Sequence, residues 1–149
     1  YNYGAYENAI LAKTIYPGWT CRFYYSNIDK TVQKLLSELD NVEMVEMNEK
    51  DDFTSAFWRF LPAFTEKNII YICRDTDSRL NMREKQVVDE WLNSDKDFHI
   101  MRDHPGHTYP IMAGMWGCRN GILLDMKEDY YKNNQRNYYT GDQDFLKIV

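Results

Sequence analysis

The chain has 149 residues, 23 acidic against 18 basic side chains, a formal charge of −5 and 44% hydrophobic residues. That length suits one domain with ample core material and excludes a disordered chain, and the acidic balance argues against a protein held to nucleic acid mainly by phosphate contacts. No apolar stretch approaches the roughly 20 residues of a bilayer span, and Tyr1-Asn2-Tyr3-Gly4 has neither the basic cap nor the apolar run of a secretion signal.

In chain order, the apolar spacing from about Ala5 to Ile15 predicts a helix that Pro17-Gly18 stops. Trp19–Tyr25 alternates as a strand does. Asp29–Leu39 sets Val32, Leu35, Leu36 and Leu39 on one helical stripe, and Val42–Met47 alternates again as a strand. Phe53–Phe64 reads as an aromatic helix broken near Pro62. Asn68–Cys73 has no polar alternation, as expected of a strand covered on both faces in the middle of a parallel sheet. Met82–Leu92 is helical, Asp97–Met101 and Ile111–Cys118 are strands, and Met126–Tyr131 and Asp142–Ile148 are helices.

This rhythm implies one α/β domain with a mostly parallel central sheet flanked by helices. The chain opens on a helix where a doubly wound domain begins with a strand, so it is expected to lack its natural first strand and to be part of a longer product. Cys21, Cys73 and Cys118 form no Cys-x-x-Cys pair and are odd in number, which points to buried thiols and a reducing compartment.

The segment richest in chemistry is Asn68–Arg83. An apolar strand runs into Arg74-Asp75-Thr76-Asp77-Ser78-Arg79, at a strand's carboxyl end, where open α/β sheets bind their ligands. Asp75 and Asp77 lie two residues apart, so in an extended backbone their carboxylates face the same way and suit one hard divalent cation, Mn²⁺ or Mg²⁺. Arg74 and Arg79 either pair with these acids or grip a diphosphate. The plainer alternative is an acidic turn that caps the next helix. Two metal-assisted chemistries use such a pair. A phosphatase carries it on the first strand, with later Thr and Lys signals missing here. Sugar transfer from a nucleotide donor, in which the metal neutralises the departing diphosphate, fits better.

Phe57-Trp58-Arg59-Phe60-Leu61-Pro62, the strand Ile69–Cys73 and Asp75-Thr76-Asp77 resemble the core of GT-A-fold glycosyltransferases, including the glycogenin-like branch. Met112-Ala113-Gly114-Met115-Trp116 and Asp142-Gln143-Asp144-Phe145-Leu146 extend the likeness. The stretches RDTDSRLNMRE, DEWLNSDKDFHIMRDHP and Ala113-Gly114-Met115-Trp116-Gly117 are similar to the small glycosyltransferase domains of large algal DNA viruses, over most of the chain. The resemblance implies that Asp75 and Asp77 are the metal ligands, with Asp75 also near the donor ribose and Asp77 near the diphosphate. It implies donor contacts from Arg59, Arg74 and Arg79, sugar-hydroxyl contacts from Asp103 and His104, and a sugar site lined by the backbone of Ala113 and Gly114. Asp142 and Gln143 would stand at the reacting face. Such families add a third metal ligand, often His, near the C-terminus; here no His follows His107.

Three smaller features complete the reading. His104 and His107 have no helix or cysteine partners to make a metal site, and His99 is expected to pack against its strand. Glu84, Lys85 and Glu90 are read as a solvated helix face opposite Val87, Val88 and Trp91. Lys127–Arg136 is either a lid or an exposed helix end. The reading is a cytoplasmic (for a viral chain, host-cytoplasmic), metal-dependent glycosyltransferase that moves a hexosyl or deoxyhexosyl group from a UDP-sugar to a hydroxyl of a glycan or glycoprotein acceptor, with either stereochemical outcome open. Its rivals are a non-catalytic nucleotide-sugar or carbohydrate binding module and a metal-dependent phosphohydrolase.

Overall fold

A computed structural model describes residues 2–48, 52–119, 123 and 125–148. They group into two compact units, residues 2–48 with 75–94 and residues 52–74 with 95–148. No helix among the described residues is long and apolar enough to cross a membrane.

In the first unit, helix α1 (Asn2–Ile15) buries Gly4, Ala5, Asn8, Ala9, Ala12 and Ile15, a stripe of small residues that lets neighbouring backbone approach closely. Gly18, at φ +83°, turns the chain after it, a conformation that glycine adopts without strain. Strand β1 (Cys21–Tyr25), helix α2 (Lys30–Ser37) and strand β2 (Val42–Glu46) form a parallel crossover with Cys21 opposite Val42 and Tyr25 opposite Glu46. The Asp29 carboxylate caps α2 by accepting the Thr31 and Val32 N–H groups at 2.8 and 3.2 Å, and these bonds hold its carboxyl below the usual range. Val32 and Leu36 pack against Ala5 and Ala9 to make this unit's core. Helix α4 (Met82–Leu92) starts at Asn81, whose side chain accepts the Glu84 N–H.

The second unit is aromatic. A 3-10 helix (Phe53–Phe60) leads into the short helix α3 (Pro62–Thr65), so the segment breaks near Pro62 as expected. Proline at the next helix's start needs no N–H partner. Phe57, Phe60, Trp116, Tyr130 and Phe145 stack in the core, with Phe60 and Phe145 ring centres 5.1 Å apart. Helices α5 (Met126–Asn133) and α6 (Gly141–Phe145) cover it, so the start of the polar, aromatic segment 127–136 is helical.

The sheet here corrects the expectation of a mostly parallel arrangement. Strand β5 (Met115–Arg119) lies between β3 (Ile70–Arg74) and β4 (Phe98–Ile100) and is antiparallel to both, so β1–β2 is the parallel pair among the described strands. Strand β3 is not the covered middle strand: Ile70 is 40% exposed, whereas Trp116, Gly117 and Cys118 of β5 are buried. An apolar run reports contact with a core but not strand direction. Direction follows from the connection, and the segment from β4 to β5 carries Pro105-Gly106 and Pro110 in place of the crossover helix that a parallel neighbour requires.

The helix face of α4 is also corrected. Glu84 is buried at 7% exposure with Val88 and Trp91, the spacing of one helical stripe, and Lys85 is half-buried, with Nζ 5.8 Å from the centre of the Tyr16 ring. An acid in the first turn is favoured by the helix dipole, which helps this one tolerate its burial.

Candidate functional site

Each unit carries part of the predicted site. In the first, the chain after Arg74 forms a turn closed by the Ser78 N–H donating to the Asp75 carbonyl at 3.3 Å. Asp75 and Thr76 are half-buried, whereas Asp77 and Ser78 are exposed. All the side-chain donors on this turn are oxygens: two carboxylates and the hydroxyls of Thr76 and Ser78. That donor set suits a hard divalent cation and not a thiolate- or imidazole-seeking metal. Among the described residues no three of His, Cys, Asp or Glu gather to hold an ion.

Arg79 turns away from these acids. It pairs with Glu7 at 2.7 Å and donates to the Thr76 carbonyl at 2.9 Å. Asn8 of α1 also contacts the turn, donating to the Ser78 carbonyl at 2.7 Å and accepting the Leu80 N–H at 3.2 Å. Neither Glu7 nor Asn8 was marked by the sequence reading. The available signal for Asn8 was a polar residue on a helix stripe otherwise made of Gly4, Ala5, Ala9, Ala12 and Ile15.

The second unit brings four predicted residues together from distant segments. Arg59, in the last turn of the 3-10 helix, approaches Asp142 of α6 with its guanidinium 3.8 Å from a carboxylate oxygen. Asp142 is buried and accepts the Gln143 N–H at 2.9 Å. The Gln143 side-chain oxygen in turn accepts the Ala113 N–H at 3.4 Å. Ala113 and Gly114, both buried, lead into β5. Arg59 also donates to the Ala56 carbonyl, which fixes its side chain from below. The neighbouring Asp144 belongs to a separate contact: its hydrogen bond to Lys147 holds its carboxyl below the ordinary range.

Arg74 folds back to donate to the Cys73 carbonyl at 2.6 Å. His99 is buried in β4, as expected, and burial followed by the charge of Arg74 pushes its pKa down from 6.5. In the loop after β4, Asp103 lies 3.3 Å from His107 Nδ1, and His104 Nδ1 accepts the Gly106 N–H at 3.0 Å. Asp103 and His104 thus share one compact turn with His107, whose ring centre is 5.5 Å from that of His104. Cys73 and Cys118 are buried thiols, and burial lifts Cys118 to about 11.

Compared with known proteins, the chain matches no family model, no curated protein and no solved structure.

Proposed function

We propose that this chain is a GT-A-like, metal-dependent glycosyltransferase that uses a nucleotide-diphosphate sugar, with UDP as the nucleotide. The reading rests on the sequence motifs, and one observation supports it above the others. Arg59, Ala113, Asp142 and Gln143, which the resemblance assigns to the donor and the reacting face, are neighbours although their motifs are far apart in the sequence. Asp75 and Asp77 would hold a Mn²⁺ or Mg²⁺ ion, which supplies positive charge to the departing diphosphate.

The motif residues would divide the work of this reaction. The Arg59 guanidinium gives a fixed cation for phosphate or sugar oxygens, pre-oriented by its bond to Ala56. The main chain at Ala113 is held by Gln143, whose side-chain oxygen accepts the Ala113 N–H. Asp103 and His104 offer sugar-hydroxyl partners. Asp142 stands beside the Arg59 guanidinium, where it would orient the reacting groups.

The test is Asp77→Asn. Calorimetry with UDP-glucose is expected to show Mn²⁺-dependent binding for the parent chain and none for the variant, with an unchanged circular dichroism spectrum. Equal affinity with and without Mn²⁺ for the parent overturns the reading. Release of free glucose from the donor separates an enzyme from a binding module, which releases none, and turnover of simple phosphate esters instead would assign the chain to the phosphohydrolases.

A further inference from the structure

Helix α1 carries one polar residue, Asn8, in a buried stripe of Gly4, Ala5, Ala9, Ala12 and Ile15. Asn8 is buried at 6% exposure, and a buried carboxamide is costly unless its donor and its acceptor are both satisfied. Its two partners are backbone groups of the turn some seventy positions away in the chain: the Ser78 carbonyl and the Leu80 N–H. By gripping two backbone groups two residues apart, the side chain acts on the loop as a paired strand would.

Two further contacts come from the same helix. A Cβ at position 4 would stand 2.0 Å from the Thr76 carbonyl oxygen, so only glycine lets α1 lie against that group. Glu7 holds Arg79, which itself donates to the same Thr76 carbonyl. With the Ser78–Asp75 bond, the carbonyls of Asp75, Thr76 and Ser78 and the N–H groups of Ser78 and Leu80 are all engaged. The Asp77 side chain stays exposed on this pinned backbone.

We propose that Asn8, assisted by Gly4 and Glu7, is the positioning residue of the acidic pair: it sets the Asp75–Asp77 turn in its ion-binding shape before an ion arrives. The inference rests on the reading of Asp75 and Asp77 as cation ligands. Its physical basis is pre-organisation, since two carboxylates on a loose loop must lose conformational freedom on binding and two on a pinned loop need not. Partners behind metal ligands commonly alter affinity by about 10- to 100-fold when removed.

The experiment compares the parent chain, Asn8→Ala and Asn41→Ala. Asn41 donates to the Ala9 carbonyl on the same helix at 2.8 Å, so its removal costs α1 one bond without touching the turn. Manganese binding in saturating UDP is followed by electron paramagnetic resonance, and backbone amide exchange is followed at Leu80. Asn8→Ala is expected to weaken manganese binding about tenfold and to speed exchange at Leu80, while Asn41→Ala changes neither. Unchanged manganese affinity in Asn8→Ala, or an equal loss in Asn41→Ala, overturns the positioning role. Exchange in the parent chain keeps the test decisive even if Asn8→Ala fails to fold: an unprotected Leu80 amide there overturns the clamp. A parent chain that takes up no manganese overturns the proposed function itself, and the positioning role with it.

Discussion

Gly117 sits on β5 opposite both Ile72 and His99, where a Cβ would stand 2.7 Å from the Ile72 side chain and 2.7 Å from the Tyr71 carbonyl oxygen. The isoleucine can move, but the backbone carbonyl cannot move without disturbing the β3–β5 ladder. Gly117→Ala is therefore expected to destabilise the protein by about 1 to 3 kcal/mol, the usual range for overpacking, and to show it as a lowered melting temperature. Single residues also mark the limit of sequence reading. Gly117 permits a close backbone approach. Glu84 was expected in solvent and is buried, because its place on the 84-88-91 stripe outweighs its charge. Asn8 carried no visible motif, because its partners are backbone groups of a remote turn and a backbone group leaves no signature in the sequence.

Elements were legible where a local signal was complete. Helix α2 begins one residue after the capping Asp29, and α4 spans Met82–Leu92 as its periodicity predicts. The aromatic segment was legible as helical with a break near Pro62, but not in the 3-10 winding of its first part. Strand β4 carries a pH response. His99 is neutral in its buried place and has a folded-state pKa below 6.5, so the unfolded chain binds the extra proton first. Its stabilising contribution is present above about pH 6.5 and is lost as pH falls through the lower folded value. Urea unfolding at pH 7.5 and at successively lower pH is expected to show a falling midpoint through this window. The part of that fall due to His99 is expected to vanish in His99→Gln.

On the scale of the whole molecule, the proposed chemistry is tested through its metal. If a cation links protein and donor, a chelator is expected to abolish the rise in melting temperature that UDP-glucose gives in Mn²⁺, and added Mn²⁺ to restore it. A rise that survives the chelator would detach donor binding from the metal. The sequence by itself determined which segments become helix or strand, because periodicity and capping act within a few residues. The resemblance of its motifs led to the expectation of donor contacts from Arg59 and Ala113 and of a reacting face at Asp142 and Gln143. Only the tertiary structure decided that β5 runs antiparallel between β3 and β4, that those four residues meet, and that Asn8 holds the acidic turn. The reason is that local pattern encodes which face of an element is buried, whereas strand direction and contacts between remote segments depend on the path of the chain through space.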